Sequence, residues 1–153
     1  MSRDHRTREE TADDRRIEAA MAAHPSERWR ELFAAADALE PADLVVGAGG
    51  GQELRPGVFQ MRFPVYSDAI NRIRGMLAAL DVVVVFDWMD WAPGFRYSAQ
   101  IVPDMPIADV ARLTTAILRG ERFADGTIAR AVESGVFTAV LDRLRVWYDT
   151  ERA

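Results

Sequence analysis

Asp81-Val82-Val83-Val84-Val85-Phe86-Asp87-Trp88-Met89-Asp90-Trp91 is the stretch on which the fold turns. Four valines followed by Phe86 form an unbroken β-branched run, the pattern of a strand covered on both faces. Upstream of it, Ile70, Ile73, Leu77 and Leu80 recur at intervals of three and four, with Met76 beside them. Ser67 is placed to cap that segment, which predicts a helix. Further upstream, Phe59, Met61 and Phe63 alternate with Gln60 and Arg62, the signature of a half-buried strand. Pro64 cannot donate to a ladder, so this strand ends there or lies at an edge. Leu44–Ala48 reads as another short strand, able to pair with it as a hairpin across the loop Gly49–Gly57. Strand, helix, strand points to a right-handed crossover with parallel pairing, with an antiparallel arrangement left open.

Helices are predicted on both sides of this unit. Residues 1–10 read as a solvated tail. Thr11 and Asp14 resemble a capping box with a short acid, leading into a helix through Ala23 whose apolar stripe (Ile17, Ala20, Met21) is thin. Ser26 is expected to cap a second helix with Trp29, Leu32, Phe33, Ala36 and Leu39 on one face, and Pro41 to stop it. The last third is helical throughout: Asp109–Arg119, then Gly126–Ser134 with Gly135 at the C′ position, then Val136–Asp149. The expected fold class is α+β, a two- to three-stranded sheet covered by five to six helices, with a C-terminal three-helix cluster. Residues 1–25 are expected to form a charged tail with a short helix, and 26–153 a single globular domain.

Composition narrows the chemistry. The 153 residues contain no Cys, and all 19 basic residues are Arg. Thiol nucleophiles, disulfides and Cys-based metal sites are thereby excluded, as are Schiff-base chemistry and the P-loop lysine. The two histidines, His5 and His24, both precede the expected core. No cofactor is implied, and no catalytic or metal-ligating set emerges. The N-terminal sixteen residues balance Arg3, Arg6, Arg8, Arg15 and Arg16 against Asp4, Glu9, Glu10, Asp13 and Asp14, without the apolar run of a secretory signal. Val82–Phe86 is the longest apolar stretch and is too short to span a bilayer. The expectation is a cytoplasmic protein with no membrane contact.

Each motif has a structural reading beside its functional one. Gly47-Ala48-Gly49-Gly50-Gly51 invites a nucleotide loop, yet a dinucleotide fingerprint would need glycine where Gln52 stands, and a helix directly after. Arg55-Pro56-Gly57 and a strand follow instead, so a flexible connector is expected. In Phe86–Trp91, Asp87 and Asp90 share a face on a helical turn, as do Trp88 and Trp91. The carboxylates would suit acid–base work or a hard cation; the alternative is a capped turn whose indoles close over the core. Arg119-Gly120-Glu121-Arg122-Phe123 with Asp125 forms a charged helix junction, fit for an anion or for an internal Arg–Asp clasp. The C-terminal helices have the outline of a helix-turn-helix. However, Asp104–Ala153 carries seven Arg against five Asp and three Glu, not the basic stripe of a duplex binder.

Arg28–Leu39, Phe59-Gln60-Met61 with Val65-Tyr66-Ser67, Phe86-Asp87-Trp88, Leu113-Thr114-Thr115, Arg122-Phe123, Gly126 and Glu133-Ser134-Gly135 together resemble the bacterial domain-of-unknown-function family number 6508 over roughly residues 28–146. The resemblance implies a small stand-alone bacterial domain with no assigned activity, cofactor or catalytic residue. Met89-Asp90-Trp91 and the Pro-rich segment Ala92–Pro106 depart from the family pattern.

The sequence therefore predicts a non-catalytic protein-interaction or ligand-binding domain, with a protein partner and a possible homodimer. Its contact residues are expected to be Asp87, Trp88, Asp90, Trp91, Tyr97, Arg119, Arg122 and Asp125, because indoles and arginines dominate interface energetics. A metal-assisted hydrolase or phosphoryl-handling enzyme using Asp87 and Asp90, with Glu133 and Arg122, is the alternative. An acidic inhibitor of another protein, favoured by the net charge of −5, is the third.

Overall fold

The computed structural model describes residues 8–91, 98–123 and 125–152. The helices are α1 (Arg8–Ala22), α2 (Ser26–Asp37), α3 (Asp68–Ala79), α4 (Ile107–Gly120), α5 (Thr127–Glu133) and α6 (Val136–Val146), which runs on into a π-helical turn Trp147–Glu151. The strands are short: β1 (Gly47–Gly49), β2 (Glu53–Arg55), β3 (Val58–Phe59) and β4 (Phe63–Val65). The fold is α+β, dominated by its helices.

α4 is the central beam. Ile107, Val110, Ala111, Leu113, Thr115 and Ile117 are all buried on it, and α1, α5 and α6 pack around it. Its two buried threonines return their hydroxyls to carbonyls one turn back, Val110 and Ala111, at 2.8 Å each, which satisfies groups that would otherwise be costly to bury. α2 joins this cluster through fully buried Trp29, whose ring stacks near Phe33 and lies edge-on to Trp147 at 5.1 Å. The Trp29 indole N–H donates to the Met21 carbonyl at 3.2 Å, closing the α1–α2 corner. α1 begins at Arg8, so Thr11 lies inside the helix and not at its cap. Met21 is fully buried, and Arg112 holds Asp14 of α1 at 2.6 Å and Asp109 of α4 at 2.7 Å.

α3 starts as the sequence predicts: the Ser67 hydroxyl accepts the Ile70 N–H at 3.1 Å, and Ile70, Ile73 and Leu77 face inward. α2 is shifted by one, with Pro25 at the cap position and Ser26 as its first residue. Gly135 has φ +83 between α5 and α6, the left-handed turn expected of a C′ glycine.

The valine run is not a strand. α3 ends with Asp81 at φ +60; Asp81 N–H bonds Ala78 O and Val82 N–H bonds Leu77 O. This is a Schellman turn with Asp81 in the place usually held by glycine, and its apolar contact is made by buried Val82 and Leu77. The Asp81 carboxylate meets His24 Nε2 at 2.6 Å. Beyond the turn the chain crosses α4 without a strand partner: Val84 N–H donates to Thr115 Oγ1 at 2.8 Å, and Val85 points into solvent. The predicted crossover fails because the only strands among the described residues pair with each other.

Those strands form one antiparallel ribbon. β1 pairs with β4 (Gly47↔Val65, Ala48↔Pro64, Gly49↔Phe63) and β2 with β3. Gly51 N–H to Gln60 O and Gln60 N–H to Gln52 O, both 2.8 Å, join the two ladders. The predicted hairpin is present, although residues 41–44 form a 3-10 turn and the first strand begins only at Gly47. The glycine run is neither a phosphate loop nor a flexible connector. Gly50 has φ +75 and the Met61 carbonyl stands where its Cβ would be, while the Phe63 ring lies over Gly49. Glycine here lets one arm lie against the other.

Candidate binding site

The α4–α5 junction is held by a carboxylate. Glu121 follows α4 and turns back onto the start of α5, accepting from Gly126 N–H at 3.2 Å and Ile128 N–H at 2.9 Å. Tyr66, the residue after β4, donates its hydroxyl to Glu121 at 2.7 Å and accepts the Ala129 N–H at 3.0 Å. Burial is the largest influence on Glu121 and pushes its pKa up, but the hydrogen bonds from Tyr66, Ile128 and Gly126 outweigh it and hold the carboxyl below its ordinary value. The same burial and the neighbouring carboxylate drive the Tyr66 phenol far up. Buried Gly120 lets Thr127 pack close at the head of α5. The junction predicted as an Arg–Asp clasp is thus a Tyr–Glu clasp, with no ion pair at Arg119, Arg122 or Asp125 among the described residues. A lone Glu121 within a charged run carried no sequence signal of this role, since its partner Tyr66 lies 55 positions away.

Opposite the junction stands the turn after the valine run. Trp91 N–H bonds Asp87 O at 3.1 Å, closing one helical turn, so Asp87 and Asp90 fall together and Trp88 and Trp91 fall together, as their spacing predicts. The indoles face the helices. Trp91 lies edge-on to Phe86 at 5.8 Å, and Trp88 lies 5.7 Å from the Phe123 ring. Between this turn and the helices lies a cleft of about 610 Å³, lined by Trp88, Met89, Trp91 and Phe123 on one side. Ile117, Gly120, Ala131 and Val136 form its opposite wall, and Thr127, Arg130 and Ser134 supply polar atoms. Met89 is 68% exposed and Phe123 74% exposed, so the mouth is apolar and open. Such a volume is in the range of clefts that take ligands, about 300–1,000 Å³.

The carboxylates lie elsewhere. Asp87 and Asp90 are exposed and share a hydrogen bond; that bond and the charge of Asp87 push the Asp90 pKa up. Neither lines the cleft, and neither do Arg119, Arg122, Asp125 or Glu133. Arg119, Arg122 and Asp125 sit on the exposed shoulder of the junction beside lining residues Gly120 and Phe123. Tyr97 lies outside the described residues. Among the described residues no group of three or more His, Asp or Glu side chains is placed to hold a metal, and no helix is long and apolar enough to cross a membrane. Met89, Phe123 and Arg130 join the site without having been foreseen in it. Phe123 could have been found from its position beside Arg122, while Arg130 enters only through the packing of α5.

An α+β helical domain with an aromatic-walled apolar cleft is what the fold and site define. The chain belongs to a family of unknown function, DUF6508, whose model matches residues 24–150. That span holds the whole cleft and leaves α1 outside. No curated protein and no solved structure matches the chain.

Proposed function

We propose that this chain is a non-catalytic binding module of the bacterial cytoplasm that captures a protein partner through the Trp88–Phe123 cleft. The partner segment presents one bulky apolar side chain to the cleft and an acidic residue to Arg130. The observation that carries this reading is the open aromatic mouth, with Met89 and Phe123 solvated and Trp88 half-buried around an apolar floor. Exposed aromatic and methionine surface costs solubility, and it is typical of surfaces that are covered in use. Arg130 is the one charged side chain in the lining and makes no ion pair among the described residues, so a carboxylate entering the cleft meets a cation there, although Asp87, Asp90 and Asp125 stand outside it.

The test is selection from a random peptide display library on the full chain. The expected winners join an aromatic or long aliphatic residue to Asp or Glu, and their affinity falls at least about tenfold on Trp88→Ala or Phe123→Ala. Both side chains lie off the main core, so the melting temperature should stay within about 3 °C. Trp91 is a poorer probe, because it also packs against the core. Failure to enrich such peptides, or binding that ignores both substitutions, rejects the reading. The hydrolase alternative draws less support: Asp87 and Asp90 do converge, but on the solvent side, and neither Glu133 nor Arg122 reaches the cleft lining.

A further inference from the structure

The β-ribbon presents a second surface that the cleft does not explain. Phe59, Met61, Phe63 and Val65 alternate along one arm, the pattern of a strand with one covered face. Yet they are 63, 81, 42 and 46% exposed. Leu54 and Val58 are exposed on the reverse face, whereas Val45, on the approach to β1, adds to these four, and together the five offer several hundred Å² of apolar surface. That is of the order of the roughly 800 Å² per partner buried in a standard interface, and it exceeds the scattered apolar exposure usual on a monomer.

We propose that this ribbon is the interface of a homodimer, two copies packing their Phe59–Val65 faces together across a two-fold axis near Met61 and Phe63. Strand addition by a peptide is the weaker use of the ribbon. Pro64 removes the one donor that the outer edge of β4 would offer, since a proline within a ladder must turn its nitrogen outward. β1 is only three residues long, so the edges have little to give and the face is what needs covering. A second copy suits that face because its one charged side chain, Glu53, stands opposite Phe59 at the end of the ribbon away from an axis near Met61 and Phe63, so the two carboxylates are kept apart. Gln60 and Arg62 alternate to its other side, and the Glu53 carboxylate accepts the Gly57 N–H at 3.1 Å. An isologous contact needs only a self-compatible patch, and a face that is apolar around the axis is one even on a chain of net charge −5.

Sedimentation velocity on the full chain over a wide dilution series tests this. The expected result is a dimer that dissociates on dilution, with self-association at least about thirtyfold weaker in Met61→Asp or Phe59→Asp. Far-UV circular dichroism of both variants should match the parent, because the altered side chains are solvated in the single chain. Val85→Asp, at an equally exposed apolar position away from the ribbon, should leave the dimer intact. A chain that stays monomeric throughout, a dimer indifferent to Met61→Asp and Phe59→Asp, or one that Val85→Asp disrupts equally would overturn the proposal. None of these outcomes depends on whether the cleft binds peptides.

Discussion

Two stretches of this chain carry β-forming residues, and they meet opposite fates. Val82–Phe86 has the denser apolar run, yet it forms no ladder; it crosses α4 with Val82 buried, Val84 tied to Thr115 and Val85 in water. Phe59–Val65 has the weaker, alternating pattern and is interrupted by Pro64, yet it becomes a strand arm with its apolar face uncovered. A strand is made by a partner, and β propensity only describes what fits a pleated surface once that partner exists. The ribbon has its partner three to eighteen residues away across a turn. The valines would have needed one from a distant part of the chain, and every long segment nearby is helical.

The contrast can be broken most severely inside the valine run itself. Val82→Asp places a charge in the fully buried Schellman corner and should cost about 4 kcal/mol or more, enough to unfold much of the population. Val85→Asp, three residues on, should stay within about 0.5 kcal/mol. Urea unfolding of the two variants measures the difference; a true two-faced strand would make them equally damaging.

The ribbon side is sharpened at its anchor. Tyr66 ties the end of β4 to α5 through Glu121, so Glu121→Ala should cost about 2 kcal/mol by removing an N-terminal cap and its charge-assisted bonds. The folded pKa of Glu121 is lowered, so the unfolded chain takes up a proton first as the solution is acidified. The contribution is therefore complete above the ordinary glutamate value of 4.5 and is lost as pH falls through the lower folded value. Chemical denaturation at neutral and acid pH should show the gap between parent and Glu121→Ala closing on acidification; a gap independent of pH would mean that the carboxylate charge contributes nothing.

A smaller effect is expected where the valine backbone meets α4. Thr115→Val removes the acceptor for Val84 N–H and should cost about 1 kcal/mol. Amide hydrogen exchange should quicken at Val84 and leave the ribbon unchanged. Protection at Val84 that survives the substitution would reveal a ladder partner after all.

The helices were legible because each encodes its own period. Ile70, Ile73 and Leu77, or Val140, Leu141 and Leu144, bury one stripe whatever their neighbours are. The Ser67 cap and the Gly135 turn are equally local, as is the pairing of Trp88 with Trp91 on one helical turn. The Schellman ending of α3 was missed because Asp81 stands where glycine is the usual signal. The glycine run was misjudged because its cause, the Met61 carbonyl and the Phe63 ring, lies on the opposite arm. Half of the cleft was foreseeable as an aromatic turn facing a charged junction, but Arg130 and the wall of α4 and α5 belong to packing alone.

Short-range patterns by themselves determined the helical content, the hairpin and the absence of thiol and amine chemistry, since each depends on residues within a few turns or on composition. Which apolar face is buried, which carboxylate becomes a clasp, and where aromatic surface is left open were decided only by tertiary structure. Burial and hydrogen-bond pairing are properties of segments brought together from across the chain, and no single segment encodes its partner.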